Sequence, residues 1–294
     1  MMTNMKSDTA VHPALASGTF TLGGDMPIVR LGYGAMRITG PGIWGEPQDH
    51  DEAIRVLRRA LELGVNFIDT ADAYGPYVSE NLIHEALYPY PKDLVIATKA
   101  GLVRTGPNQW FPVGRPEYLR QEVEMSLRRL GLERIDLLQL HRIDPQVPLA
   151  DSIGVLADMQ REGKIRHIGV SNFGVKDLQA AQKVATIVSV QNRYNLADRA
   201  SEDVLDFCDK ENLGFIPWFP VAFGALARAG GPLDSIAHQH GATPAQMALA
   251  WLLRRSPVML PIPGTSRVAH LEENLAAAAI KLTDAEFDAL AKAA

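Results

Sequence analysis

The chain has 294 residues, 47% of them apolar and 21% charged, which is the composition of an ordinary globular protein. A net charge of −5 gives no basic surface for nucleic acid, and no apolar run approaches the roughly 20 residues that a membrane span needs. The single cysteine, Cys208, excludes an intrachain disulfide and fits a cytoplasmic setting; in "VLDFCDK" it sits at helical spacing and reads as a packing residue.

Residues 1–17 contain Lys6 and Asp8 and no long apolar core, so they are read as a loose tail rather than a secretory signal. "TFTLGGDMPIVR" predicts a hairpin around Gly23-Gly24-Asp25. From there short apolar runs alternate with amphipathic ones. "RLGYGAM" is a first strand, and "HDEAIRVLRRALELG" a helix stopped by Gly64. "VNFIDTA" is a second strand, followed by a helix in "SENLIHEAL" with Ser79 as its cap. Strand–helix pairs continue through "DLVIATKAG" and "RPEYLRQEVEMSLRRLGL", "RIDLLQLHR" and "LADSIGVLADMQREGK", "IRHIGVSNF" and "VKDLQAAQKVA". "IVSVQN" with "SEDVLDFCDKENLG", "FIPWFPV" with "TPAQMALAWLLRRS", and "VMLPIPG" complete eight strands. "HLEENLAAAA" and "TDAEFDALAKA" form a helical tail.

The strands are apolar throughout rather than alternating, as in a parallel sheet buried on both faces. Eight such units predict an α/β fold of the (β/α)8 barrel type, with the hairpin closing its bottom, in one domain over residues 1–294. A doubly wound sheet would need an early phosphate fingerprint, and "GYGAMR" lacks the third glycine and a prompt helix.

Barrel chemistry gathers where the strands end. Those ends carry Asp69 with Tyr74 beyond it, Lys99, His141, Ser171-Asn172, Gln191-Asn192, Trp218 and "PGTSR". Singly each reads as an ordinary loop or turn residue; jointly their chemistries fit. An ammonium beside a phenol stabilises the phenolate. Asp69 opposes the loss of the Lys99 proton, and His141 can orient a carbonyl. This is a relay for an alkoxide forming on a substrate. No residue supplies a hydride, so a nicotinamide cofactor is required. Ser171, Asn172 and Gln191 offer groups for a carboxamide, and Trp218 a flat face. The strand-to-helix passage at "PGTSRVAHLEENL", with Arg267, makes an anion site.

"DTADAYG", "TKAG", "LLQLH", "GVSNF", "QNRYN" and "IPGTSRVAHLEENL", in that order, resemble the aldo-keto reductases. The resemblance implies a barrel enzyme that reduces aldehydes and ketones with NADPH. It implies Tyr74 as proton donor, Lys99 and Asp69 as its tuning pair, and His141 as the carbonyl-orienting group. It assigns the nicotinamide to Ser171, Asn172, Gln191 and Trp218. The adenine and 2′-phosphate end goes to Gly264, Thr265, Ser266, Arg267, Glu273 and Asn274. Many members carry lysine where Gly264 stands, arginine for His270, tyrosine for Trp218 and serine for Phe219; use of NADH is therefore also expected. No metal is expected.

Trp44, Trp110, Phe111 and Arg142 stand in the loops that would meet substrate. The aromatics suggest a ring pocket, and the chain's early end after its last helix an open one. The motif pattern is similar to a bacterial subgroup that includes pyridoxal reductases, so pyridoxal or another aromatic aldehyde is the expected substrate. Two other readings stand beside this one: a cofactor-binding barrel subunit that senses redox state with little turnover, and physiological alcohol oxidation. No apolar stripe is left over from the barrel, so a monomer is expected.

Overall fold

The computed structural model describes residues 12–221 and 232–293. The hairpin pairs β1 (Thr19–Leu22) with β2 (Met26–Val29), and its turn is the Gly23-Gly24-Asp25 stretch. Then come β3 (Tyr33–Gly34), α1 (His50–Glu62), β4 (Phe67–Asp69), α2 (Val78–Leu87) and β5 (Val95–Ala100). A small hairpin of β6 (Leu102–Val103) and β7 (Phe111–Pro112) precedes α3 (Pro116–Leu130) and β8 (Ile135–Leu140). Next are α4 (Leu149–Arg161), β9 (Ile165–Ser171), α5 (Val175–Gln182), β10 (Ile187–Arg193), α6 (Glu202–Glu211) and β11 (Gly214–Trp218). The helices α7 (Pro232–Gln239), α8 (Pro244–Arg255), α9 (Val268–Ala276) and α10 (Asp284–Ala293) follow.

Local chemistry sets the helix limits. The Asp49 carboxylate accepts the Glu52 N–H to start α1, and Gly64 follows its end with φ +89°. Thr243 and Gln246 cap each other at the start of α8. Ser79, expected as a cap, lies inside α2; its hydroxyl shares a hydrogen bond with Thr70 and donates to the Ala35 carbonyl, tying two strand exits together.

Seven strands form one parallel sheet in the order β11-β10-β9-β8-β5-β4-β3. The segment expected as the eighth strand closes it. Phe215 N–H donates to the Val258 carbonyl, Leu260 N–H to Phe215, and Gly32 N–H to the Pro261 carbonyl, all at 2.8–2.9 Å. The segment bridges both neighbours yet forms no regular ladder, because Pro261 and Pro263 bring no N–H. The result is a (β/α)8 barrel.

The β1–β2 hairpin covers the end where the strands start. Leu22, Met26 and Ile28 are buried there, and Asp25 pairs with Arg166 and His167 at the start of β9. Part of the expected loose tail is ordered: residues Pro13–Ser17 form a short 3-10 helix with Ala14 buried, and the Ser17 hydroxyl accepts the Leu31 N–H. Residues 1–11 lie outside the described ones. At the other terminus α10 docks through Phe287, stacked on Trp251 at 5.5 Å. Cys208 is buried, and burial pushes its thiol up to about 12, as suits a packing residue.

Strand one and the closing segment approach too closely for side chains. A Cβ on Gly34 would stand 2.6 Å from the Ile262 carbonyl oxygen, and one on Gly264 2.7 Å from the Gly34 oxygen. The backbone of Gly34 is otherwise ordinary, with φ −95°. Gly34→Ala should therefore lower the unfolding free energy by roughly 1–3 kcal/mol, the usual cost of overpacking, read from urea-induced unfolding.

Candidate active site

Barrel strands turn alternate side chains inward. At their C-terminal ends this brings Asp69 of β4, Lys99 of β5, Gln139 of β8 and Gln191 of β10 together, each at most 2% exposed. His141 follows Gln139 by two residues on the same face. Tyr74 reaches the group from the turn after β4, a turn fixed by Asp72 N–H donating to the Lys99 carbonyl and Tyr74 N–H to Ala71.

The Lys99 ammonium spends three hydrogen bonds: to Asp69 Oδ1 at 2.6 Å, to the Thr70 carbonyl at 2.8 Å and to Tyr74 Oη at 3.2 Å. Asp69 Oδ2 in turn accepts from Gln191 at 2.7 Å and Gln139 at 3.1 Å. Burial alone would strip Lys99 of its proton, but Asp69 and Tyr74 outweigh it, and its pKa stands above the ordinary value. Burial also raises the Tyr74 phenol, with Lys99 pulling the other way. The lowered phenol pKa expected from the sequence is not found, since desolvation exceeds the pull of the ammonium. Tyr74 thus holds its proton at neutral pH, as a proton donor must.

His141 lies edge-on to Tyr74, with ring centroids 5.9 Å apart. Burial, then Lys99, Arg142 and Arg104, hold its pKa well below the ordinary value of 6.5. The ring is therefore neutral. Its Nδ1 is buried without a partner among the described residues. Trp110 closes the group, 6.4 Å from Tyr74 and 6.5 Å from His141 between centroids.

Asp72, in the same "DTADAYG" stretch, has a different state. Both its carboxyl oxygens are buried without partners among the described residues. Burial, with Glu80 and Glu122 nearby, raises its pKa well above the ordinary value.

A cavity of about 1070 Å³ opens above these groups, roomy for a single drug-sized ligand. Its lining includes Tyr74, His141, Trp110 and Arg142, then Ser171, Asn172, Gln191 and Trp218, and also Gly264, Ser266 and Arg267. Two of these residues are partly committed: Asn172 donates to the His141 carbonyl and Ser171 Oγ, and Gln191 to Asp69.

Besides the fully buried Lys99, five expected residues do not line the cavity. Thr265 Oγ1 accepts the Arg267 N–H, and Glu273 accepts from the Thr243 hydroxyl. Asn274 is buried within α9. Phe111 points outward from β7, 49% exposed. Trp44 lies behind the guanidinium of Arg104. The expected anion site at the α9 N-terminus is also partly filled: Glu52 Oε1 accepts the Val268 N–H at 2.9 Å. The Arg267 side chain has no partner among the described residues.

Phe219, named in the sequence only as a departure from the family, lines the cavity. Gln139, Met36 and Arg37 of the site, and Arg104 behind Trp110, were missed in the sequence. Gln139 had a signal, as an amide buried in an apolar strand two residues before His141. The others had none.

The aldo/keto reductase family model matches residues 30–294. The chain belongs to the aldo/keto reductase family. An uncharacterized oxidoreductase of Schizosaccharomyces pombe is 54% identical over 97% of this chain and 92% of its own. Pyridoxine 4-dehydrogenase of Escherichia coli is 46% identical over 92% of this chain and 96% of its own. An aldo-keto reductase of Klebsiella pneumoniae solved with NADPH superposes with a TM-score of 0.80 at 27% identity, covering 93% and 94% of the two chains. This aldo/keto reductase is accordingly a nicotinamide-dependent oxidoreductase of small carbonyl compounds. No helix among its described residues is long and apolar enough to cross a membrane.

The depressed His141 pKa has a sign. Below pH 6.5 the unfolded chain binds a proton at this residue and the folded chain does not, so the His141 contribution to stability falls as pH drops. Between about pH 6.5 and 5, unfolding free energies of His141→Gln should fall less steeply than wild type, by up to one proton, or ~1.4 kcal/mol per pH unit. Urea titrations at several pH values measure this.

Proposed function

We propose that this protein reduces aromatic aldehydes to alcohols with NADPH, that pyridoxal is its substrate, and that Tyr74 donates the proton. The observation that carries the reading is the buried chain Asp69–Lys99–Tyr74 ending at the cavity beside a neutral His141. In reduction, His141 Nε2–H and the Tyr74 hydroxyl both reach toward a carbonyl oxygen placed between them. As that oxygen becomes an alkoxide, far more basic than a phenolate, the Tyr74 proton passes to it. Lys99, locked cationic by Asp69, stabilises the phenolate left behind. The same atoms run in reverse for alcohol oxidation.

The cavity fits a nicotinamide cofactor, which supplies the hydride when bound. The Trp218 indole lines it with Nε1 lacking a partner among the described residues. Ser171, Asn172 and Gln191 would hold the carboxamide there, Gln191 through the carbonyl oxygen that its bond to Asp69 leaves unspent. Arg267, which lines the cavity with Gly264 and Ser266 and has no side-chain partner among the described residues, would take the 2′-phosphate. Glu52 at the α9 N-terminus repels that phosphate, so NADH is used as well, less efficiently. Thr265, Glu273 and Asn274 act on the cofactor only through the backbone they support.

Two observations support pyridoxal. A relative 46% identical over most of both chains is named for the corresponding alcohol. The cavity lining also includes an indole, Trp110, edge-on to Tyr74 and His141, and the cation of Arg142. Phe111 and Trp44, off the cavity surface, shape that lining only indirectly.

Purified protein should reduce pyridoxal and benzaldehyde with NADPH faster than with NADH. Arg267→Ala should lower kcat/KM for NADPH about tenfold or more, the worth of one charge-assisted bond. For NADH it should stay within about twofold. Tight NADPH binding without turnover of any carbonyl would favour the redox-sensing reading instead, and equal losses with both nucleotides would remove Arg267 from the phosphate site.

A further inference from the structure

Arg104 stands in the turn between β6 and β7, and beyond its share in holding the His141 pKa down it has no part in the chemistry above. A guanidinium carries five N–H donors, and here every one is spent on a backbone carbonyl. Nε donates to Gln109 at 2.7 Å. One terminal nitrogen donates to Ile43 at 2.7 Å and Ala73 at 2.9 Å. The other donates to Gly42 at 2.9 Å and Gly106 at 3.3 Å. Those five carbonyls belong to three different loops, after β3, β4 and β6. The cation has no carboxylate partner among the described residues. Its flat face instead lies 3.5 Å from the Trp110 ring centroid, and Trp44 stands 5.7 Å away.

Neighbouring backbone bonds complete the junction. Asn108 N–H donates to the Gly42 carbonyl and Gly45 N–H to Gly75. Without the guanidinium, the carbonyls of Gln109, Ile43 and Ala73 would lose their donor, while Gly42 and Gly106 would each keep a backbone N–H. Trp110 would also lose the surface that holds its indole edge-on to Tyr74 and His141.

We propose that Arg104 is a positioning residue that sets substrate class: by clamping the three loops and backing Trp110, it fixes an aromatic wall beside the reacting carbonyl that selects flat, π-rich aldehydes over flexible aliphatic ones. This rests on the reductase reading of the site. Stacking against a rigid indole favours a planar ring beyond its apolar area, and a wall free to turn would lose that advantage. A straight-chain aldehyde adapts to either wall. Lysine keeps the charge but has three donors and no planar fork, so it cannot substitute.

The test compares wild type, Arg104→Lys and Arg104→Met with benzaldehyde and hexanal, alongside nucleotide binding and amide hydrogen exchange of residues 40–45 and 102–111. Both variants should fold and bind nucleotide as wild type does. KM for benzaldehyde should rise about tenfold with a smaller change in kcat, and kcat/KM for hexanal should stay within about threefold. Exchange in the two segments should rise at least tenfold, and lysine should not rescue it. Parallel losses for both aldehydes, or full rescue by lysine, would overturn the specificity role. Unchanged exchange would overturn the clamp. If wild type reduces neither aldehyde, the reductase reading falls, and the exchange result still decides the clamp.

Discussion

A lysine and an aspartate, both almost wholly buried, meet at 2.6 Å near the mouth of the barrel. Taking two charges out of water is expensive, and such a pair seldom adds net stability over an apolar packing. It persists here because its remaining hydrogen-bonding capacity is filled. Two glutamines and a backbone carbonyl take the positions that water would otherwise take. Only the third Lys99 donor faces outward, and it points at Tyr74. The barrel holds this array rigid because each member stands on a different strand of one hydrogen-bonded sheet. Removing one partner would leave the other buried and unpaired at a cost of about 3–5 kcal/mol.

That pair orders the electrostatics around it. Lys99 opposes the burial-driven rise of the Tyr74 phenol and helps to depress His141. A protonated donor and an uncharged imidazole then face the same cavity. The arrangement needs walls that do not move, and these come from loops rather than strands. Arg104 joins three of them with one side chain. The residues proposed for the cofactor stand on different terms: close backbone contact at Gly34 and Gly264, a guanidinium at Arg267 without a partner among the described residues, and the Glu52 carboxylate capping α9.

Much of this was legible in the chain. The period of strand and helix is written in apolar spacing and in caps such as Asp49 and Gly64, so the barrel could be read directly. Polar residues ending apolar strands gave Asp69, Lys99 and His141, and the fixed parity of a strand also pointed to Gln139. What lay hidden depends on contacts between segments far apart in sequence. Nothing local tells that Arg104 meets Ile43 and Ala73, that Glu52 reaches Val268, or that Trp44 lies behind a guanidinium rather than on the cavity. The eighth strand shows a related limit. Its apolar residues read as strand, but two prolines leave it only isolated bonds to its neighbours. The direction of the Tyr74 shift was missed because the sequence names the ammonium nearby and does not give the depth of burial.

The central claim is that Tyr74 gives its proton to the nascent alkoxide while Lys99 and Asp69 hold it in place. A single-turnover measurement on Tyr74→Phe tests this most directly, with the enzyme preloaded with NADPH and mixed with aldehyde while nicotinamide absorbance is followed. The account predicts nucleotide binding unchanged and hydride transfer slowed by about 10²–10⁴-fold, the usual worth of a positioned acid. Hydride transfer within tenfold of wild type would contradict it and would place the proton donor elsewhere in the cavity.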